Sequence, residues 1–164
     1  MSKTSPMLHL LCGKIGSGKS TLATRLGQAP GTVVISEDHW LNALYGTEMA
    51  TIPDYIRCAE KLRGVMAPHV LALLRAGTSV VLDFPANTLE TRHWMRELIA
   101  RTQAAHELHF LDLPDEICLT RMRARSAAGE HPFEVSEEQF RKITSHFVPP
   151  TETEGFHVVR HGAE

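Results

Sequence analysis

The sequence predicts a three-layer α/β/α fold built on a five-stranded parallel sheet. Two observations carry this. Short apolar runs, several rich in β-branched residues, alternate along the 164 residues with longer helical patterns. Strands that alternate with helices form a parallel sheet covered on both faces. In addition, the first run, Met7-Leu8-His9-Leu10-Leu11-Cys12, passes through a glycine-rich turn directly into the helical stretch Thr21-Leu22-Ala23-Thr24-Arg25-Leu26. Strand, tight loop, helix is the order of a phosphate-binding unit.

The turn itself reads Gly13-Lys14-Ile15-Gly16-Ser17-Gly18-Lys19-Ser20, or G-x-x-x-x-G-K-S, the Walker A or P-loop pattern. Its glycines allow positive φ and let the backbone N–H groups lie against a phosphate. The helix expected from about Lys19 points its N-terminal N–H groups at the same place. Lys19 then reaches the β- and γ-phosphates, Ser20 holds Mg²⁺ through its hydroxyl, and Thr21 completes the cradle. Residue frequencies alone would give the four fixed positions in roughly one chain of this size in a few hundred. The fold expected is therefore a P-loop NTPase fold.

Composition suits one domain with a real core, expected over residues 1–164: 43% of residues are hydrophobic and 22% charged. A net charge of −2 provides no overall basic field for nucleic acid. Cys12, Cys58 and Cys118 form no C-x-x-C pair, so buried, reduced thiols are expected. No stretch has the pattern of a signal peptide or reaches membrane-spanning length, which predicts a cytoplasmic protein with no membrane partner.

Beyond the first helix, which Gly27 ends, Gly31-Thr32-Val33-Val34-Ile35 reads as the second strand. Residues 41–53 look irregular and are closed by Pro53. Asp54 is expected to cap a helix to about Ala76, kinked or broken at Pro68 and stopped by Gly77. Residues 78–84 form the third strand, closed by Asp83 and Phe84. Asn87-Thr88-Leu89-Glu90 has capping-box spacing with Asn87 as cap, opening a helix to about Ala104. His109-Phe110-Leu111-Asp112-Leu113 is the fourth strand. A helix from Pro114 to about Ala128 follows, then a loop over residues 129–135. Ser136-Glu137-Glu138-Gln139 is a second capping box, for a helix to about Phe147 that Pro149-Pro150 ends, and residues 156–160 form the last strand.

Ligands of open α/β sheets sit at the carboxyl ends of the strands. Asp38, in Ser36-Glu37-Asp38-His39-Trp40 after the second strand, is thus placed where chemistry happens; a cap for a following short helix is the alternative. Asp83 ends the third strand where a carboxylate would hold Mg²⁺ directly or through water; a turn cap is the alternative. The ten histidines show no metal-like spacing, and His9, His109 and His157 fall within expected strands as structural residues.

N-K-x-D and L-S-G-G-Q are absent, which argues against a GTPase and an ABC ATPase. The P-loop, Asp38, and Asp112-Leu113-Pro114-Asp115-Glu116-Ile117 followed by Arg121-Met122-Arg123-Ala124-Arg125 together resemble the small P-loop kinases. Asp38 is similar to the catalytic aspartate of polynucleotide 5′-kinases, zeta-toxin kinases and chloramphenicol phosphotransferase. The last stretch resembles the D-x-P-x-E and R-x-x-x-R lid entry of adenylate kinases. The resemblance implies that Arg121 stacks on adenine, that Arg125 reaches the transferring phosphoryl group, and that residues 121–135 form a short lid. An ordinary solvated helix face is the other reading of these arginines.

The resulting expectation is an ATP- and Mg²⁺-dependent kinase acting on a hydroxyl of a small molecule. A polynucleotide 5′-hydroxyl kinase and a non-catalytic ATP-binding module are the alternatives. Trp40, Tyr45, Arg57, Asn87, Thr88 and Arg92 form the expected acceptor pocket, and the chain is expected to act as a monomer or homodimer. Segment 147–156 resembles a tail of uncharacterised predicted kinases and is expected to border the adenine site.

Overall fold

The computed structural model describes residues 5–128 and 135–162. Five parallel strands form one sheet in the order β2-β3-β1-β4-β5: β1 (Met7–Cys12), β2 (Thr32–Ser36), β3 (Ser79–Pro85), β4 (Ala105–Leu111) and β5 (Val158–His161). Six helices flank it: α1 (Lys19–Leu26), α2 (Glu37–Tyr45), α3 (Ile52–Arg75), α4 (Leu89–Ala100), α5 (Asp115–Ala128) and α6 (Glu137–Thr144). The chain crosses from β3 through α4 to β4, on the other side of β1. The strand order therefore reverses at β1, and the crevice at such a switch point lies above its carboxyl end.

Alternation along the strands divides the core. Leu8, Leu10, Val80, Leu82, Phe84 and Leu108 face α3 and α4, where Leu62, Met66, Val70, Met95 and Leu98 meet them. Leu11, Val81 and Leu111 point to the opposite face, where Leu22 and Ala23 of α1 cover them. The three cysteines are free and buried. Among the described residues, no helix is long and apolar enough to cross a membrane.

Several local expectations are corrected. Residues 41–53 are mostly ordered as α2 and a 3₁₀ turn (Gly46–Glu48). Pro53 does not end them; it lies in the first turn of α3, where its missing N–H needs no partner. Asp54 is not the cap. Thr51 is, and Asp54 completes its capping box. Helix α3 runs uninterrupted through Pro68. The cap of α4 is Thr88, whose hydroxyl accepts from the Thr91 N–H at 3.2 Å, not Asn87. Helix α4 ends at Ala100, and β4 begins at Ala105, four residues before the expected His109. Helix α6 ends at Thr144. Of the expected lid, residues 129–134 lie outside the described residues.

Arg92 sits in α4 with no exposed surface. Its Nε donates to Glu154 Oε1 at 2.7 Å, and its Nη1 donates to the carbonyls of Ala86 (2.9 Å) and Val148 (2.7 Å). A buried guanidinium is tolerable only when paired and hydrogen-bonded, so Arg92 binds segment 147–156 to the end of β3. Glu154→Ala is expected to lower the unfolding free energy by about 3 kcal/mol, because it leaves that cation buried without its carboxylate. Urea denaturation against exposed Glu152→Ala, expected to change stability by less than about 0.5 kcal/mol, is the check.

Candidate active site

The phosphate-binding loop occupies the predicted crevice, between β1 and α1. Gly16 and Gly18 have φ of 81° and 96°, in the left-handed region that favours glycine. A Cβ on Gly16 would stand 2.3 Å from the backbone oxygen of Cys118, so the loop lies directly against α5. A Cβ on Gly13 would stand 2.4 Å from Ser17 Oγ, itself buried and without a hydrogen-bond partner among the described residues. A cradle that a side chain would fill, with a hydroxyl aimed inside it, fits a phosphate oxygen.

Three ties hold the loop in shape. Asn87 accepts from the Gly13 N–H at 2.9 Å and donates to the Gly13 carbonyl at 2.8 Å. Lys14 Nζ pairs with Asp115 Oδ1 at 2.7 Å and lies over the Phe147 ring. Ile15 packs on Leu113 and Cys118. The D-x-P-x-E stretch thus buttresses the loop through Asp115, while Asp112 pairs with Arg160.

Lys19 opens α1, and its ammonium donates to the carbonyls of Gly13 and of Lys14, the latter at 3.0 Å. Burial pushes its pKa down to about 8, against the pull of the nearby Asp83 and Asp38 carboxylates. Ser20 and Thr21 are exposed in the same first turn. Asp83 lies within β3, in register with Ser36 of β2. Burial, and then repulsion from Asp38, raises its carboxyl pKa, while Lys19 opposes the rise. Asp38 is exposed in the first turn of α2, whose cap is Ser36, accepting from the His39 N–H at 3.3 Å. Neither aspartate is a cap. Both stand near Lys19 at the strand ends, and the Ser20 hydroxyl and Asp83 carboxylate are oxygen groups of the kind that could hold Mg²⁺.

On α5, Arg121 reaches the loop and donates to the Ser17 carbonyl at 3.4 Å. Arg123 pairs with Glu137 of α6 at 2.5 Å. Arg125, half-buried, lies one turn beyond Arg121 on the same side of the helix.

The expected acceptor residues come together only in part: Trp40 and Tyr45 line one groove, and Arg57, Asn87, Thr88 and Arg92 are not among its lining. Arg92 and Asn87 are committed to the tail and the loop. Arg57 pairs with Asp54 on the same helix at 3.3 Å. Trp40, 41% exposed, lines a groove between α2 and α3 with Leu44 and Val65. At 100° per residue it stands about 160° around α2 from Asp38, so it cannot pack on a group held there. Two residues on this side of the site escaped the sequence reading. Glu37 is buried, accepts a hydrogen bond from the Tyr55 hydroxyl, and has its pKa pushed up to about 7 by burial. Arg63, half-buried, acts electrostatically on Glu37 and lies 3.9 Å from Glu90 in the first turn of α4. Strand-end position could have flagged Glu37; no local signal marks Arg63.

The AAA_33 family model, an AAA domain, matches residues 8–150. No curated protein matches the sequence. Among solved structures, the chain is similar to a provisionally assigned kinase from Chloroflexus aurantiacus J-10-fl: TM-score 0.75, 15% identity, covering 98% of this chain and 87% of that one. It is also similar to the Mycobacterium tuberculosis APS kinase in complex with AMPPNP and APS, with a TM-score of 0.63, 21% identity, and 96% and 88% coverage. In the Pnkp1/Rnl/Hen1 RNA repair complex, 22% identity and a TM-score of 0.66 extend over 88% of this chain but only 45% of that one. These likenesses establish a P-loop kinase-like fold.

Asn87→Ala is expected to destabilise the chain by about 2 kcal/mol, because it strips the Gly13 N–H of its partner and leaves the Gly13 carbonyl to Lys19 alone, and to weaken nucleotide binding. Thr88→Ala removes only a helix cap, at about 1 kcal/mol, and should leave nucleotide affinity unchanged. Urea melts and titration with a fluorescent ATP analogue separate the two. Glu37 predicts an unusual pH dependence. Its folded pKa of about 7 lies above the ordinary 4.5. The folded state therefore binds the extra proton, and stability falls as pH rises from about 4.5 to about 7, by up to about 3 kcal/mol. Glu37→Gln should flatten that part of the stability profile.

Proposed function

We propose that this chain, which belongs to the AAA_33 family of AAA domains, is an ATP-dependent kinase that transfers the γ-phosphoryl group of ATP to a hydroxyl of a small molecule. The observation that carries the proposal is the meeting of Lys19, Asp38 and Asp83 at the mouth of a loop built for phosphate. A module that only bound ATP would not need an exposed carboxylate beside the P-loop lysine.

In this reading, Gly13 to Thr21 bind the phosphates through the loop backbone and the helix N-terminus. Lys19 leaves the Gly13 and Lys14 carbonyls to meet negative charge on the β- and γ-oxygens. Asp38 orients the acceptor hydroxyl and takes its proton as the new O–P bond forms and the bond to ADP breaks. Arg121 covers the donor above Ser17, and Arg125 follows to neutralise the transferring group. Mg²⁺, held by Ser20 and Asp83, would neutralise phosphate charge when bound. The lid of a single kinase domain, proposed over residues 121–135, would limit hydrolysis by water. Arg63, close to Glu37 and the start of α4, replaces Arg57 and Arg92 as the cation on the acceptor side. Net negative charge, with no basic stripe, favours a small acceptor over a polynucleotide. A cytoplasmic location, where ATP is supplied, is part of the same proposal.

The test is transfer of label from γ-labelled ATP with Mg²⁺ to nucleosides, sugars, aminoglycosides, chloramphenicol-like compounds and a 5′-hydroxyl oligonucleotide, with Lys19→Ala as blank. Labelling of one small-molecule class is the expected result. Asp38→Asn should then lose roughly 10²–10⁴-fold in turnover while still binding ATP. Labelling of the oligonucleotide alone would overturn the small-molecule reading, and tight ATP binding with no labelled acceptor would overturn the kinase.

A further inference from the structure

Away from the P-loop, the sheet face that carries Leu11 and Leu111 also carries a polar cluster. His9 of β1 sits in register with Glu107 of β4, and His109 follows two residues later on the same face of β4. Helix α1 lies over β1, β2 and β3, which leaves these groups partly accessible: the side chains of His9, Glu107 and His109 are 15%, 30% and 4% exposed. His161 of β5 continues the row, its Nε2 3.0 Å from His109 Nδ1.

We propose that His9, Glu107 and His109 form a binding site for a transition-metal dication of the Zn²⁺ type, separate from the phosphate site. The argument is geometric. His9 Nδ1 and His109 Nε2 are 3.1 Å apart, and Glu107 Oε2 lies 3.8 Å from the first and 3.4 Å from the second. The nearest point equidistant from the three atoms lies in their plane at about 2.0 Å, and a point displaced from that plane, as a fourth ligand requires, lies at about 2.1 Å, within the range of Zn–N and Zn–O bonds. The triangle matches one face of a tetrahedral coordination shell. The carboxylate stands beyond the 2.7–3.2 Å of ordinary N–H···O hydrogen bonds, so neither imidazole has claimed it. In the metal-free chain a single proton joins the two ring nitrogens, and a dication takes its place.

The donor set selects the metal. Two imidazoles and one carboxylate suit Zn²⁺ and its neighbours, not Mg²⁺ or Ca²⁺. With Nε2 on the metal, His109 carries its proton on Nδ1, and His161 Nε2, 3.0 Å away, is placed to accept it, in the position that a carboxylate, carbonyl or water takes beside other metal-bound imidazoles. This orients the ring and fixes its tautomer. Three protein ligands leave the fourth position to water. The ion would join β1, which leads into the P-loop, to β4, which leads into α5.

The test is titration of the untagged full chain with Zn²⁺ alone, and with Co²⁺ followed by visible absorption. One saturable equivalent, with the strong visible bands of a four-coordinate Co²⁺ site, is expected. Glu107→Gln and His9→Gln should each weaken it by more than roughly 100-fold, and His161→Asn by roughly 10-fold. Asp83→Asn, which disables the other candidate metal position, should leave it intact. Zn²⁺ should also raise the thermal midpoint of the wild type and of Asp83→Asn, but not of Glu107→Gln. Because Glu107 is partly exposed and glutamine has its shape, that variant keeps the test clear of misfolding. No saturable equivalent in the wild type, unchanged binding in both Glu107→Gln and His9→Gln, or loss of binding in Asp83→Asn would overturn the proposal.

Discussion

The structure depends most on the double hydrogen bond between Asn87 and Gly13. A phosphate-binding loop has to keep its N–H groups turned inward, which leaves its own backbone short of partners. Asn87 supplies one donor and one acceptor to the residue at which β1 becomes loop. It can do so because β3 is the neighbour of β1 and because the register shifts between Leu10 and Leu11, where Leu11 faces Pro85. The Ala86 N–H then reaches the Leu11 carbonyl at 2.9 Å. The strand order that creates the crevice also provides the residue that shapes its floor.

From Asn87 the same network continues outward. Its carbonyl accepts from the Val148 N–H at 2.9 Å, and the Val148 carbonyl accepts from buried Arg92. Phe147 stacks on Phe110 and lies under the Lys14 ammonium. Segment 147–156 is therefore a strap that fastens the P-loop to α4 and β4. Its Glu154 completes a 3₁₀ capping turn with Thr151 while neutralising Arg92. A carboxylate that serves both a turn and a buried cation couples the fold of the tail to the fold of the core.

How much of this could be read from the sequence follows from how local each interaction is. The strands, the P-loop and the capping box at Ser136 depend on neighbours a few residues apart, and they were legible. Asn87 looked like a helix cap because its spacing to Glu90 allowed that role; its true partner is 74 residues away. Arg92 looked like an acceptor ligand because nothing nearby in sequence reveals a guanidinium bound to carbonyls 56 residues on. The histidines showed no metal-like spacing because two of them meet across neighbouring strands, 100 residues apart. Trp40 was misread for a different reason: adjacency to Asp38 in sequence means opposite flanks on a helix.

Electrostatics at the strand ends bear on the proposed phosphoryl transfer. Three carboxyl groups, Glu37, Asp38 and Asp83, gather at the strand ends, the two aspartates near the partly buried Lys19. Burial raises the pKa of both Glu37 and Asp83, so neither is comfortable as an anion in the absence of further positive charge. A dication bound as proposed would relieve Asp83, which lies near Lys19 of the phosphate loop. Glu37 points the other way, into the Tyr55 hydroxyl, and can keep its proton up to near neutrality. Asp38, next to Glu37 in the first turn of α2, is open to solvent, which leaves it available for the acceptor-orienting role proposed for it. Environment separates these like groups, Glu37 buried with its pKa raised, Asp83 partly buried beside Lys19 and Asp38 exposed, and such separation lets a cluster of acids limit mutual repulsion.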